Sequence, residues 1–89
     1  MKRYREALDE VEVDGEIPVA FTWRGRRHRI LQVLGHWHED AGWWNRSGGA
    51  VLAIERTDLW RVEVMTEHGR GIHELVQRAS GWRLDRVWD

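Results

Sequence analysis

The chain has 89 residues, of which 33% are charged and 42% are hydrophobic, and its formal net charge is −1. This length predicts one domain, residues 1–89, with one small core. The absence of cysteine excludes disulfides, cysteine-based zinc sites and thiol chemistry. No stretch approaches the ~20 apolar residues that span a bilayer, and the N-terminus MKRYREALDE lacks the apolar run of a signal peptide. We therefore expect a soluble, cytoplasmic protein with no membrane partner.

The near-neutral charge conceals a segregation of acids and bases. Residues 6–16 contain six acids and no base, whereas residues 24–29 contain four arginines and no acid. Thirteen of the fourteen basic residues are Arg, whose planar fork suits phosphates and stacks on aromatic rings. Arginine-rich coding in a high-GC genome explains the same excess. If the two segments pair with each other, little free positive field is left for nucleic acid.

The first part of the chain predicts a strand and a hairpin. We expect residues 1–6 to fray and a first strand to cover about residues 7–13, before the turn signal Asp14-Gly15. A second strand follows Pro18, which needs no ladder donor where a strand begins. It runs to Trp23, and Arg24-Gly25-Arg26 then closes a short hairpin, in which Gly can supply a positive φ if the turn requires one.

The most apolar run of the chain predicts a third strand from His28 to about Trp37. Its apolar residues do not alternate cleanly, which favours either two covered faces or a bulge near Gln32 or Gly35. A short helix also fits the spacing of the run. Residues 38–50 are predicted to be a loop because turn formers lie at both of its ends.

The second half of the chain has a clearer β pattern. A strand is expected from about Val51, and Trp60, Val62 and Val64 alternate with polar residues as on a half-buried strand. Turns over residues 67–71 and 79–81 separate a fifth strand, Ile72–Arg78, from a sixth, Trp82–Trp88. The fold predicted is all-β: one antiparallel meander of about six strands, curled into an SH3-like or OB-like barrel that conceals its edges.

The sequence contains few signals for metal binding or catalysis. His36 and His38 would share one face of a strand and could hold a metal ion if His28 or His73 supplied a third ligand. An H-x-H pattern alone is weak, so we predict no metal and no cofactor. No serine lies in a motif with a histidine and an acid, and no phosphate-binding loop is present in the sequence. We therefore predict a protein that is not an enzyme and has no catalytic residues.

Seven tryptophans are unusually many for a chain of this length. A core this small cannot bury seven indole side chains of ~200 Å² each. Those on predicted strands, Trp23, Trp37, Trp60 and Trp82, are assigned to the core. The remaining three either plug an open end of the barrel or form a contact surface, since Trp is enriched at binding hot spots and bases stack on aromatic rings beside Arg. The predicted contact residues are Arg24, Arg26, Arg27, Arg29, Trp43, Trp44 and Arg46.

Several phrases carry a family resemblance: FTWRGRRHRILQVLGHW, the following GWW, LWRVEV and the ending ELVQRASGWRLDRVWD. They resemble a small family of high-GC, actinobacterial-type bacteria whose members are encoded beside, or fused to, ImuB-type Y-family DNA polymerase components. The match covers the chain from about Val11 and is most specific at WRGRR and WRLDRVWD. The resemblance implies an accessory role in translesion DNA synthesis and DNA repair, with polymerase-complex proteins as partners.

Two functional hypotheses follow. In the first, the chain is a non-enzymatic binding module that contacts DNA or a polymerase-complex protein through the arginine-rich turn and the tryptophan-rich loop. In the second, it is a structural homodimer that buries a tryptophan-rich interface and has no role with nucleic acid.

Overall fold

The computed structural model describes residues 1–41 and 55–88, and this part of the chain contains seven strands and no helix. The strands are β1 (Lys2–Ala7), β2 (Glu10–Asp14), β3 (Ile17–Trp23), β4 (Arg26–Ala41), β5 (Glu55–Thr66), β6 (Gly69–Arg78) and β7 (Gly81–Trp88). All ladders are antiparallel, and β2 to β7 form a meander in which each strand pairs with the next. The predicted all-β antiparallel fold is confirmed.

The order of strands in the sheet, β1-β7-β6-β5-β4-β3-β2, requires the sheet to curl. β1 and β2 lie at opposite ends of this order, yet only Leu8 and Asp9 connect them. The amide of Leu8 donates to the carbonyl of Trp82 in β7, and the amide of Asp9 donates to that of Thr22 in β3, both at 3.0 Å. The short connection therefore draws the two ends of the sheet together into a half-barrel.

The core lies inside this curl and is built mainly from the alternation predicted for β5. Val62 and Val64 are fully buried and Trp60 is nearly so, where they pack with Phe21, Leu75 and Leu84. Because successive side chains of a strand point to opposite faces, one row of each strand fills the interior. Polar residues between them, such as Arg61 and Glu63, remain on the convex face.

The hairpin at Arg24 and Gly25 lies where the sequence predicted a turn. Both residues have positive φ, 53° and 76°, and they connect the paired residues Trp23 and Arg26. Two-residue hairpins favour this conformation because its twist matches that of the strands, and Gly adopts it without steric cost.

Two bulges interrupt β4, as the irregular apolar run suggested. The register to β5 shifts between Ile30 and Gln32 and again between Val33 and Gly35. Each shift leaves one extra residue on β4, Leu31 and Leu34. The alternative of a short helix is wrong here.

Three boundaries differ from the prediction. The N-terminal residues, expected to fray, form β1 and pair with β7, so that seven strands replace about six. The single strand expected at about residues 7–13 is divided at Leu8 and Asp9. β4 continues through His38 to Ala41, part of the predicted loop, because the ladder to β5 extends to the Ala41–Glu55 pair.

Candidate binding cleft

An open cleft of about 980 Å³ lies beside the arginine-rich turn. Its walls come from β1, from the hairpin of β3 and β4, and from the hairpin of β5 and β6. These segments are distant in sequence, and the closing connection between β1 and β2 brings the first of them next to the turn. The cleft therefore exists only in the curled sheet.

The floor of the cleft is a row of rings. Tyr4 and Trp23 meet edge to face with ring centroids 4.9 Å apart, and Trp23 lies 6.2 Å from His28. His28 in turn lies 5.9 Å from His73, and both pack against Phe21 of the core. The row joins the hydrophobic core to the surface, so its ring positions are set by packing rather than by loop geometry.

The floor carries little charge near neutral pH. Partial burial lowers the pKa of His28 below its ordinary value of 6.5, and the positive charge of Arg26 lowers this pKa further. A histidine with such a pKa is mainly neutral at pH 7. The cleft thus presents aromatic rings, among them a mainly neutral His28, beneath a polar rim.

Arginines form the rim, and each is held by a carboxylate. Arg27 donates two hydrogen bonds to Glu12, at 2.7 and 3.0 Å, and Arg26 pairs with Glu67. The nearest nitrogen of Arg70, which also lines the cleft, lies 3.6 Å from a carboxylate oxygen of Glu63. Guanidinium groups held in this way are positioned over the cleft but are already partly neutralised.

Arg24 lies beside the cleft rather than in its lining. Its guanidinium group donates to both carboxylate oxygens of Glu6, at 3.0 and 2.6 Å. It also covers the rings of Trp23 and Tyr4, with its central carbon 4.7 and 5.3 Å from their centroids. Glu6 additionally accepts a hydrogen bond from the indole of Trp23 at 3.2 Å. This network fixes the wall of the cleft.

The pKa values of Glu6 and Glu12 reflect these hydrogen bonds. Hydrogen bonds from Arg24 lower the pKa of Glu6, and hydrogen bonds from Arg27 lower the pKa of Glu12. The pairing considered from sequence, between the acids of residues 6–16 and the bases of residues 24–29, thus occurs at two positions. Arg29 makes no ion pair within residues 1–41 and 55–88.

The predicted contact residues are only partly brought together. Arg26 and Arg27 line the cleft, whereas Arg24 and Arg29 lie on the same hairpin outside its lining. Trp43, Trp44 and Arg46 fall outside the described residues. Sequence reasoning missed the cleft residues Tyr4, Arg70 and His73, which come from other strands, and also His28, which lies on β4 beside the two arginines. It also assigned Trp23 to the core, where the ring is in fact half-buried and lines the cleft.

Of the histidines considered as metal ligands, His36 packs beside Trp60. The ring of His36 stacks on Trp60 with centroids 3.6 Å apart, and its Nε2 lies 2.9 Å from a carboxylate oxygen of Asp58. Arg56 donates to the same carboxylate at 2.8 Å. Burial raises the pKa of Asp58, but these hydrogen bonds outweigh it and hold the pKa below its ordinary value. Within residues 1–41 and 55–88 no group of three or more His, Cys, Asp or Glu is placed to hold a metal ion.

A second aromatic cluster lies on the convex face, away from the cleft. The guanidinium carbon of Arg61 is 5.2 Å from the ring centroid of Trp37 and 4.9 Å from that of Trp88. Trp37 is 48% exposed, so its assignment to the core is wrong. The reason is its place in the ladder opposite Leu59, one position away from the inward-facing pair of His36 and Trp60.

The described part of the chain holds no helix of the length and apolarity needed to cross a membrane. Comparisons with curated proteins and with solved structures gave no match. A family model does match, over residues 3–89, which is nearly the whole chain and includes every strand of the half-barrel except the first residue of β1. The chain therefore belongs to the DUF6504 family, a domain of unknown function.

Proposed function

We propose that this domain is a non-enzymatic, cytoplasmic binding module whose cleft takes single-stranded DNA. The observation that carries the proposal is the row of rings beneath a rim of arginines. Bases of a single strand stack on aromatic side chains irrespective of sequence, while arginines contact the phosphates that connect them. Trp23 and His28 would supply the stacking surface, and Arg26, Arg27 and Arg70 would supply the phosphate contacts.

The ion pairs at the rim do not prevent this binding. The side chains of Arg26 and Arg27 are 67% and 59% exposed, and exposed ion pairs contribute only about 0–1 kcal/mol. A phosphate can replace such a carboxylate because it offers the same forked guanidinium a charged acceptor. The carboxylates therefore act as competitors that lower the affinity for DNA.

As part of the same proposal, the module serves translesion DNA synthesis as an accessory factor, in contact with a protein of the polymerase complex. Single-stranded template is the form of DNA that such an accessory factor would hold.

The first experiment measures binding of a short fluorescein-labelled oligothymidylate by anisotropy over a series of NaCl concentrations. Replacing Arg26, Arg27 or Arg70 by Ala should weaken binding and reduce the slope of log affinity against log salt by about 0.7 per lost phosphate contact. Arg78→Ala is the matched control, because Arg78 is exposed at the end of β6 and lies outside the cleft lining. Equal effects of all four variants, or no binding by the unmodified protein, would reject the proposal.

A second experiment uses the competing carboxylates. Glu12→Gln and Glu67→Gln release the guanidinium groups of Arg27 and Arg26 without changing side-chain size, so both variants should bind the oligonucleotide more tightly. A protein that binds elsewhere would show no gain.

Stacking is tested at Trp23. Trp23→Leu and Trp23→Phe both lose the indole hydrogen bond to Glu6, but only Phe keeps a ring. Because stacking contributes about 1–3 kcal/mol per base, the Leu variant should bind at least several-fold more weakly than the Phe variant. Equal affinities would show that no base stacks there.

A further inference from the structure

Three of the five histidines of the chain line the cleft: His28, His68 and His73. His28 is half-buried in the row of rings, His73 is 3% exposed, and His68 is exposed. Imidazole is the side chain whose charge ordinarily changes between about pH 5 and 8. A change of pH near neutrality can therefore change the charge of this cleft.

The groups around His28 are cations or uncharged rings. Arg26, on the same strand, contributes positive charge, and the ring centroid of His73 from β6 lies 5.9 Å away. The neighbours from β3 are the uncharged rings of Phe21 and Trp23. A proton on His28 therefore adds a positive charge next to an existing one.

The cleft itself offers this proton little compensation. Among the described residues that line it, Glu67 is the one acid, and its carboxylate is paired with Arg26. Burial lowers the pKa of His28, and the charge of Arg26 lowers this pKa further. Without a ligand the ring is therefore mainly neutral at pH 7.

A phosphate in the cleft reverses this balance. Arg26 and His28 are two positions apart on β4, and both line the cleft. Alternate residues of a strand point to the same face, so a phosphate bound by Arg26 lies on the side of the strand to which His28 points. An anion within about 4–6 Å favours the charged form of a basic group. By linkage, the protonated protein then binds that anion more tightly than the neutral one does.

We propose that binding of single-stranded DNA in the cleft is coupled to the uptake of a proton by His28, so that affinity rises as the pH falls from about 8 to 6. This inference rests on the proposed function and adds the regulation of the same site. The protonated ring supplies a further cation between the arginines of the rim and the stacking surface of Trp23. The coupling requires the anion, because the neighbours of His28 oppose its charge in the free protein.

The coupling is measured by anisotropy of a rhodamine-labelled oligothymidylate at constant ionic strength, from about pH 6 to 8, where imidazole titrates. Rhodamine replaces fluorescein because fluorescein itself titrates in this range. Thymine and the phosphodiester bind no proton there, and carboxylates titrate below it. The unmodified protein should bind several-fold more tightly at the acid end, with a limit of about tenfold per pH unit for one proton. Circular dichroism at each pH verifies that the fold is retained.

Variants assign the proton to one histidine. His28→Phe keeps a ring in the floor of the cleft but cannot bind a proton, so the slope of log affinity against pH should fall to near zero, whatever its affinity at the alkaline end. His38→Gln is the matched control, because His38 is exposed on the same strand but lies outside the cleft lining. It should retain the slope, and so should His68→Gln, which changes an exposed ring of the cleft.

A proton count tests the coupling in the unmodified protein and does not depend on a variant being folded. Titration calorimetry at about pH 6.5 in two buffers of different ionisation enthalpy, Mes and Bis-Tris, should show net proton uptake when the oligonucleotide binds. Binding that is independent of pH, binding without proton uptake, a slope kept by His28→Phe or a slope lost in His68→Gln would overturn this inference and leave the proposed function intact. No binding at any pH would overturn both.

Discussion

Trp60 and Trp37 lie on two paired antiparallel strands, β5 and β4. Trp60 is 4% exposed, whereas Trp37 is 48% exposed. They occupy adjacent positions of the same ladder, where Trp60 pairs with His36 and Trp37 with Leu59. Adjacent positions point to opposite faces of a sheet, so the concave face buries the first indole and the convex face displays the second.

The two indoles also differ in what covers them. On the concave face His36 stacks flat on Trp60, whose Nε1 donates to Gln77 at 3.3 Å. On the convex face the guanidinium group of Arg61 lies over Trp37, whose ring also lies across Gly35. The same residue type therefore contributes to core packing on the concave face and to exposed surface on the convex face.

The largest expected effect tests directly whether the two tryptophans lie on opposite faces. Trp60→Ala should lower the free energy of unfolding by about 3–5 kcal/mol, as for other buried aromatic residues, whereas Trp37→Ala should cost less than about 1 kcal/mol. Urea unfolding followed by circular dichroism measures both. Losses of equal size would contradict the assignment of the two faces.

A smaller effect is expected at Gly35. A Cβ added there would lie 2.5 Å from the ring of Trp37, so Gly35→Ala must displace that ring at a cost of about 1 kcal/mol. In the Trp37→Ala background the same change should become neutral or stabilising, because Ala restricts the unfolded chain more than Gly does. Urea unfolding of the four proteins in the cycle shows whether this coupling exists.

The concave face should also respond to acid through His28. Its pKa is lowered in the folded protein by burial and by Arg26, and its ring faces His73 and Phe21. The unfolded chain, with an ordinary pKa of 6.5, binds the proton more readily, so stability is full above about pH 6.5 and falls as the pH drops below it. His28→Gln should flatten this part of a plot of midpoint temperature against pH, and an unchanged slope would exclude His28 as its source.

The smallest effect belongs to the exposed pair of Glu6 and Arg24. Glu6→Gln removes a carboxylate whose pKa is lowered by hydrogen bonds from Arg24, so its stabilising contribution is present above the ordinary pKa of 4.5 and is lost as the pH falls through the folded value. The variant should therefore show a small drop in midpoint temperature at neutral pH that disappears in acid and in high salt. A drop that persists in acid would assign the loss to packing against Trp23 instead.

The sequence predicted the local elements well where a local rule determines them. The Arg24-Gly25 turn, the alternation around Val62 and the irregularity near Gln32 each depend on a few neighbouring residues. The candidate cleft was predicted only through Arg26 and Arg27. Tyr4, Arg70 and His73 carry no local signal for it, because they come from other strands and meet the turn only when the sheet curls.

By itself the sequence determined that this chain is all-β, where its short turns lie, and that acids near the N-terminus could neutralise the arginine-rich turn. Tertiary structure decided that the N-terminal residues form β1, that Trp37 lies outside while Trp60 lies inside, and that rings from three parts of the chain form one cleft. The physical reason is that turns and strand periodicity arise from contacts between near neighbours, whereas the face that becomes the interior is chosen only when the two ends of the sheet are drawn together.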